Sequence, residues 1–226
     1  MLLNPSKSVR ANSTENSTWW LWGPISLRFR TRRMREFERD FALTDKTRIV
    51  DVGGTERNWH LIESEPHVTL VNIVGGEYAR GQFISTRGDG TALQFPDAAF
   101  DIAYSNSVIE HMGTFERQHA FARELRRVGN DYYVQTPYKW FPIEPHLLCV
   151  GIHWLPKPIY RRLVRWLSVW GWVDRPSLGD VDEQLAEIRL LTVAEMRGLF
   201  PDGELKRERV CGLTKSLIMT RRKPLR

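Results

Sequence analysis

The stretch that decides the fold is IVDVGGT at residues 49–55, an apolar run that ends at two adjacent glycines. Its β-branched residues predict a buried strand, and Gly53 and Gly54 predict a tight turn directly after that strand. A glycine turn at the carboxyl end of a first strand lets a ligand approach the backbone, as in folds that bind nucleotide cofactors. Taken alone, the stretch also fits a plain tight turn, so the residues that follow it must show whether the turn binds a ligand.

Short apolar runs alternate with helical stretches along the rest of the chain. The predicted strands are 48–52, 68–73, 82–86, 100–104, 132–136, 204–211 and 215–220. The predicted helices are 26–41, 56–64, 115–128, 159–169 and 192–200, the last with Thr192 and Glu195 as a capping box. This alternation predicts an α/β fold with a mostly parallel sheet, and the short gap between the last two strands predicts an antiparallel hairpin.

The size and composition of the chain are those of one globular core. It has 226 residues, of which 42% are hydrophobic and 27% are charged. No run approaches the roughly 20 apolar residues of a membrane-spanning helix, and the two cysteines form neither a disulfide framework nor a metal motif. These features favour a cytoplasmic location.

The chain divides into an N-terminal tail and helix over 1–45 and a main domain over 46–226. Within the latter, the insertion 137–191 holds five of the nine tryptophans. A connection of this length is usually functional, so we expect a helical, aromatic-rich subdomain that serves as a lid or binds the acceptor. The aromatic run at 19–22 could pack on its own domain, cover a ligand or meet a partner subunit, which leaves a homodimer open.

A run of arginines lies on the first predicted helix, in a chain of net charge +6. Such a run attracts phosphates or anionic lipid head groups, but interspersed acids and the helical spacing of Met34, Phe37 and Phe41 favour a solvated helix face. The basic residues are not interleaved with stacking aromatics, so no nucleic-acid partner is expected.

Three further segments follow the glycine turn in a fixed order, namely GDGTAL at 88–93, FPD at 95–97 and FDIAYSNSVIEH at 100–111. Together with the turn they resemble the class I S-adenosylmethionine-dependent methyltransferases, in particular the type 11-like domains. The resemblance covers roughly 46–136 and 192–221. It implies a Rossmann-like sheet of seven mostly parallel strands with an antiparallel last hairpin, and S-adenosyl-L-methionine as the methyl donor.

The resemblance also implies which residues hold that cofactor. Asp51 and Gly53 would shape the methionine side, and Asn72 would face the ribose hydroxyls. Asp89 and Gly90 would hold the adenine edge, although Asp89 could instead cap a helix. Tyr104, Ser105 and Asn106 would line the floor under the sulfonium.

Three residues depart from the family pattern. Thr55 and Arg57 stand where the family has further glycines, and the neutral Asn72 stands where an acid usually ends the second strand. An amide offers one acceptor and two donors, so ribose binding is expected to be weaker than with a carboxylate or to be shared with Glu77. A catalytically silent scaffold therefore remains an alternative to an enzyme.

The string SVIEH at 107–111 is similar to a Glu-x-x-Glu-His metal motif of some methyltransferases. This resemblance implies a tentative Mg²⁺ site at Glu110 and His111. The first acid of that motif is Ser107 here, and many relatives carry Glu-His as a structural link without metal.

The segment QTPYKWFPIEPH at 135–146 is the most informative for the acceptor, because it starts at the carboxyl end of the fifth predicted strand. It is similar to a loop of a bacterial methyltransferase subgroup found beside sugar-polymer genes. His146 is the first candidate general base, His153 the second, and Glu144 an orienting residue or metal ligand. Trp140 and Trp154 could stack on a sugar or pack in the core.

The leading hypothesis is an O-methyltransferase that acts on a saccharide hydroxyl, such as a mannoside or glucoside in bacterial polysaccharide biosynthesis. Transfer to a lipid or another small-molecule acceptor is the alternative.

Overall fold

The computed structural model describes residues 27–144 and 149–222, with Glu144 described by its backbone alone. Its main element is an eight-stranded sheet. In chain order its strands are β1 Arg48–Val52, β2 His67–Asn72, β3 Tyr78–Arg80, β4 Phe83–Arg87, β5 Phe100–Asn106, β6 Gly129–Pro137, β9 Glu204–Val210 and β10 Leu213–Arg221. A separate hairpin joins β7 Ile143–Glu144 to β8 Cys149–Val150.

The order of the strands in the sheet is β3-β4-β2-β1-β5-β6-β10-β9. The five strands from β4 to β6 are parallel, and β10 lies antiparallel between β6 and β9. This arrangement confirms the predicted Rossmann-like α/β fold and its closing hairpin. The count of seven strands was wrong by one, because the exposed edge strand β3 pairs antiparallel with β4. Its three residues are too few to show an alternating pattern.

The described helices are α1 at 27–40, α2 Glu56–Trp59, α3 Phe115–Val128, α4 Lys157–Leu167, α5 Val169–Val173, α6 Leu178–Glu187 and α7 Val193–Leu199. Short 3₁₀ turns span Ile109–Met112 and Ile152–Trp154. Helix α7 begins with the predicted capping box, in which Thr192 and Glu195 satisfy each other's backbone N–H groups.

Two helices differ from their predicted bounds. Helix α2 ends at Trp59 rather than near 64, because the buried indole of Trp59 is held against β1. The helix predicted at 159–169 ends at Leu167, where the buried Ser168 accepts a hydrogen bond from the Gly171 N–H and starts α5.

Alternating residues of the strands divide the core between the two faces of the sheet. Ile102 and Tyr104 of β5 pack on the face covered by α1, whose Met34 and Phe37 are almost fully buried. Ala103, between them, packs on the face covered by α3 and α7. Strands β1, β2 and β5 each contribute residues to both of these cores and are therefore held on both sides.

The insertion after β6 has a small core of its own. This core consists of Cys149, Ile152, Tyr160, Val164 and Val181, contributed by β8, the second 3₁₀ turn, α4 and α6. None of the described helices combines the length and the apolar character that crossing a membrane requires.

Candidate active site

The glycine turn after β1 is built from two glycines that cannot be replaced without movement. Gly53 has φ +80°, and a Cβ on it would lie 2.5 Å from a methyl of Val108. A Cβ on Gly54 would lie 1.8 Å from Oδ2 of Asp51. The side-chain amide of Asn72 at the end of β2 donates to the Gly54 carbonyl at 3.0 Å. The turn is therefore tightly packed and tied to its neighbouring strand.

Asp51 is a fully buried carboxylic acid directly under this turn. Its Oδ2 accepts a hydrogen bond of 3.0 Å from the indole of Trp59, whereas its Oδ1 is buried without a hydrogen-bond partner. Burial raises the pKa of Asp51 to about 7, and the Trp59 hydrogen bond only partly offsets this effect. Asp51 therefore has one carboxyl oxygen without a hydrogen-bond partner, and its carboxyl group ionises near neutral pH.

Asp89, in the turn after β4, is already hydrogen-bonded on both oxygens. Its Oδ1 accepts from the backbone and hydroxyl of Thr91, and its Oδ2 pairs with Arg117 of α3 at 3.3 Å. Partial burial opposes ionisation, but these donors and the charge of Arg117 outweigh it and lower the pKa of Asp89. Asp89 stabilises its own turn and remains a partly exposed carboxylate.

Gly90, next to Asp89, is buried against the core. A Cβ there would lie 2.6 Å from the ring of Phe121 and 2.8 Å from Val52. Position 90 therefore requires glycine for packing between the turn, α3 and β1.

The end of β5 presents one free polar side chain to the same edge. Ser105 is fully buried and donates to the Val52 carbonyl at 3.2 Å, which ties β5 to β1. The amide of Asn106 is partly exposed and has no hydrogen-bond partner in the described chain. The ring of Tyr104 is instead enclosed in the core, with its hydroxyl on the sulfur of Met34, so Tyr104 does not line an open cleft.

The residues predicted to bind the cofactor lie along one edge of the sheet, at or just after the carboxyl ends of β1, β2, β4 and β5. This is the edge at which open α/β sheets bind ligands. At this edge the glycine turn presents backbone and Asn106 presents a partly exposed amide, which can donate and accept hydrogen bonds.

The two proposed metal ligands point to different partners. Glu110 is fully buried and accepts from the Thr136 hydroxyl at 3.0 Å, and Nδ1 of His111 lies 3.5 Å from Glu187 of α6. The described residues contain no cluster of three or more His, Cys, Asp or Glu side chains that could hold a metal. The tentative Mg²⁺ site is therefore not supported, and Glu110 and His111 link the strand ends to the insertion.

The loop after β6 carries an exposed pair of tryptophans. The rings of Trp140 and Trp154 are 6.2 Å apart, and the Lys139 ammonium lies 5.5 Å from the Trp140 ring. The Lys139 carbonyl accepts from the Trp154 indole at 2.9 Å and lies 3.0 Å from Nε2 of His153. Because a carbonyl can only accept, Nε2 of His153 carries a proton in this contact.

The side chain of Glu144 and the whole of His146 lie outside the described residues. Their predicted roles at the acceptor site are therefore left as predictions.

Sequence reasoning did not find three contacts that shape the site. These are the Trp59 indole on Asp51, the Arg117 guanidinium on Asp89 and the Val108 methyls on Gly53. The sequence gave no sign of the Trp59 contact, because the position of that side chain depends on where α2 ends.

Two cavities lie away from this edge of the sheet. One of about 440 Å³ opens between α4 and α6, and one of about 650 Å³ runs along α1. Neither borders the glycine turn, where Val108 packs against Gly53.

A family model described as a methyltransferase domain matches residues 55–131. These residues are therefore similar to a methyltransferase domain. They include α2, β2 to β5 and α3, and thus the positions Asn72, Asp89 and Asn106 described above. No curated protein matches the chain.

Solved structures with the same fold include three of low sequence identity. A Burkholderia thailandensis N1-methyltransferase, solved with 1,6-didemethyltoxoflavin and S-adenosylhomocysteine, is 13% identical, with a TM-score of 0.53 over 97% of this chain and 90% of that one. A Haloferax volcanii chain, solved in a complex with a methyltransferase activator, is 12% identical, with a TM-score of 0.53 over 96% and 95%. A Bordetella parapertussis protein, described as a candidate exported protein, is 15% identical, with a TM-score of 0.54 over 86% and 67%.

At these identities the structures show the fold of the chain. The match to the methyltransferase domain supports a methyltransferase enzyme.

Proposed function

We propose that this enzyme transfers a methyl group from S-adenosylmethionine to a hydroxyl of a saccharide, such as a mannoside or glucoside of a bacterial polysaccharide. The observation that carries the proposal is the exposed pair Trp140 and Trp154, which follows β6 at the ligand-binding edge of the sheet. A pyranose presents an apolar face of C–H groups and a rim of hydroxyls. Exposed indole rings suit such a face, because their apolar bodies pack on it and water solvates the rest.

On the donor side we assign roles by position. Asp51 and Gly53 would contact the methionine part, Asn72 the ribose, and Asp89 and Gly90 the adenine. Ser105 and Asn106 would lie under the sulfonium. Since both oxygens of Asp89 are already bonded within the chain, an adenine amino group would share a carboxylate that Thr91 and Arg117 hold in place.

The bound donor supplies a methyl carbon attached to a sulfonium, which is already a good leaving group. The chain must then align the acceptor oxygen with that carbon and accept the hydroxyl proton. An alcohol stays protonated at neutral pH, so a base near pKa 6.5 suits this task.

We propose His146 as that base. The observation that favours it over His153 is the contact between Nε2 of His153 and the Lys139 carbonyl, which commits one ring nitrogen to holding the tryptophan loop. His153 is the second candidate through its other nitrogen, and Glu144 would orient the base. A His146→Ala variant should lower turnover about 100-fold with unchanged donor binding.

A lipid or another small molecule is the alternative acceptor. The Burkholderia structure of the same fold holds a small heteroaromatic compound, and exposed indoles suit flat rings as well as sugars. A non-catalytic scaffold is a further alternative, favoured by Thr55 and Arg57 at positions where the family has glycines.

The test is methyl transfer from isotope-labelled S-adenosylmethionine to a panel of mannosides, glucosides, phenols, amines and lipids. Label on a saccharide oxygen that depends on Trp140 supports the proposal. Label on a nitrogen or a lipid would show that the chain is a methyltransferase with another acceptor. Binding of the donor without turnover on any acceptor would favour a non-catalytic scaffold.

We also propose a cytoplasmic location, which suits a chain with only two cysteines, Cys149 and Cys211, far apart in the sequence. A homodimer remains a proposal that sedimentation analysis would test.

A further inference from the structure

Helix α4 of the insertion exposes a strip of large apolar residues. This strip consists of Ile159, Leu163, Trp166 and Leu167, and the side chain of Trp166 is 74% exposed. At about 100° per residue the four side chains lie next to each other on one side of the helix. Soluble chains seldom expose an apolar patch of this kind without a binding role.

The strip is continuous with α5. The Trp172 indole, which is 64% exposed, donates to the Trp166 carbonyl at 2.5 Å, and Val173 beside it is also exposed. A Cβ on Gly171 would lie 2.3 Å from the Arg165 carbonyl, so α5 packs closely on the end of α4. Two exposed indoles therefore lie together at one end of the strip.

The other faces of α4 pack in the core of the insertion or pair with α6. Tyr160 and Val164 are buried in the core of the insertion, and Arg161 pairs with Asp182 of α6. On the helical wheel the buried face separates the apolar strip from Arg161. The acidic helix α6 is thus on the opposite side from the strip.

Basic side chains border the strip on its solvent side. Arg162 and then Arg165 continue around the helix beyond Trp166, and neither has an ion-pair partner among the described residues. Arg162 also lines the open cavity of about 440 Å³ between α4 and α6, together with Lys157 and Arg161. Asp182 is the one acid among its lining residues, so three cations face one carboxylate.

We propose that α4 and α5 bind the surface of an anionic lipid bilayer. Apolar side chains on one side, arginines beside them and indoles at the boundary are the composition of helices that lie in the plane of a membrane interface. The strip would enter the region below the head groups. The stems of Arg162 and Arg165 would let their charges reach lipid phosphates.

The charge and the indoles favour a bilayer over a second protein. A protein partner would cover the strip equally well, but it would not by itself explain why arginines without an ion-pair partner among the described residues border it. The inference goes beyond the proposed methyl transfer, because it concerns α4 and α5, which carry none of the candidate site residues, and needs neither donor nor acceptor.

The experiment is vesicle flotation of the full chain, with phosphatidylcholine vesicles that contain or lack phosphatidylglycerol. Wild-type protein should float with the anionic vesicles and much less with the neutral ones, and added salt should weaken the binding. The double variant Trp166→Ser/Leu167→Ser should bind at least about 10-fold more weakly. Arg162→Gln should bind about 5-fold more weakly.

Two matched variants serve as controls. Leu213→Ser removes a leucine that is 52% exposed, as Leu167 is, but lies in the β9–β10 hairpin. Arg197→Gln removes an exposed arginine of α7. Both should float like wild type, and circular dichroism should show that all the variants keep their helices.

Three results would overturn the proposal. The first is no flotation with anionic vesicles. The second is equal loss of flotation in the strip variants and their controls. The third is a wild-type dimer that does not bind vesicles and that becomes monomeric with Trp166→Ser/Leu167→Ser, since the strip would then be an interface between copies.

Discussion

Nε1 of Trp59 lies 3.0 Å from Oδ2 of Asp51, directly beneath the glycine turn. This hydrogen bond joins the penultimate residue of β1 to the last residue of α2. It satisfies one oxygen of the buried carboxylate and leaves the other without a partner. This edge of the sheet thus contains a buried carboxyl group with a raised pKa.

The first prediction concerns the pH dependence of stability. The pKa of Asp51 rises from 3.8 to about 7 on folding, mainly because of burial, so between these values the folded state holds a proton that the unfolded state has lost. Stability must therefore fall as the pH rises through this window, by up to about 1.4 kcal/mol per pH unit. The side chain of Asp51→Asn cannot ionise, so over this pH window the variant should lose up to about 4 kcal/mol less stability than wild type.

Urea unfolding of both proteins at several pH values between about 5 and 8 measures this difference. Trp59→Phe is the control, because loss of its hydrogen bond should raise the pKa of Asp51 further. Parallel stability profiles for wild type and Asp51→Asn would contradict the prediction.

The second prediction concerns the glycine turn. Gly54→Ala would place a methyl group 1.8 Å from the Asp51 carboxylate, so the turn must move. We expect binding of S-adenosylhomocysteine to weaken by at least about 10-fold, a loss of about 1.4 kcal/mol. Gly198→Ala is the matched control, since a Cβ there meets nothing within 4 Å and α7 should gain about 0.5 to 1 kcal/mol. Calorimetry and thermal unfolding check both; unchanged binding in Gly54→Ala would remove the turn from the cofactor site.

The third prediction separates two roles of Asp89. If Asp89 binds adenine, Asp89→Ala should weaken binding of S-adenosylhomocysteine by about 1 to 3 kcal/mol. Arg117→Gln removes one of its partners without removing the carboxylate, and it should weaken binding by much less. Calorimetry on the three proteins is the measurement. Equal losses in both variants would show that Asp89 acts through the stability of its turn.

The fourth prediction concerns the acceptor. Trp140→Ala removes an exposed ring, so it should raise KM for a saccharide by about 10-fold while donor affinity stays the same. Trp172→Ala removes an equally large exposed ring from α5 and should leave KM unchanged. Steady-state kinetics on a methylated saccharide would show this, and a fall in donor affinity with Trp140→Ala would speak against a role in the acceptor site.

Much of the fold could be predicted from the sequence because its signals are local. The β-branched run at 49–52 and the capping box of Thr192 and Glu195 each specify an element with a few adjacent residues. Strand β3 could not be predicted in this way, because its exposed residues are ordered by pairing with β4 and by the contacts of Glu56 with Tyr78 and Arg80.

The candidate site was less predictable than the fold. Strand ends bring Asp51, Asn72 and Asp89 to one edge, as the order of the motifs indicates. The partners that set their chemistry are remote or depend on local turns. Arg117 is 28 residues from Asp89, and the position of Trp59 depends on the early end of α2.

The most direct test of the central claim is calorimetric titration of the wild-type chain with S-adenosylhomocysteine. The account predicts saturable binding of one ligand per chain, weakened by Gly54→Ala and by Asp89→Ala and unchanged by Gly198→Ala. An absence of binding at millimolar ligand, with a folded protein in the cell, would contradict the claim that this fold serves as an S-adenosylmethionine-dependent methyltransferase.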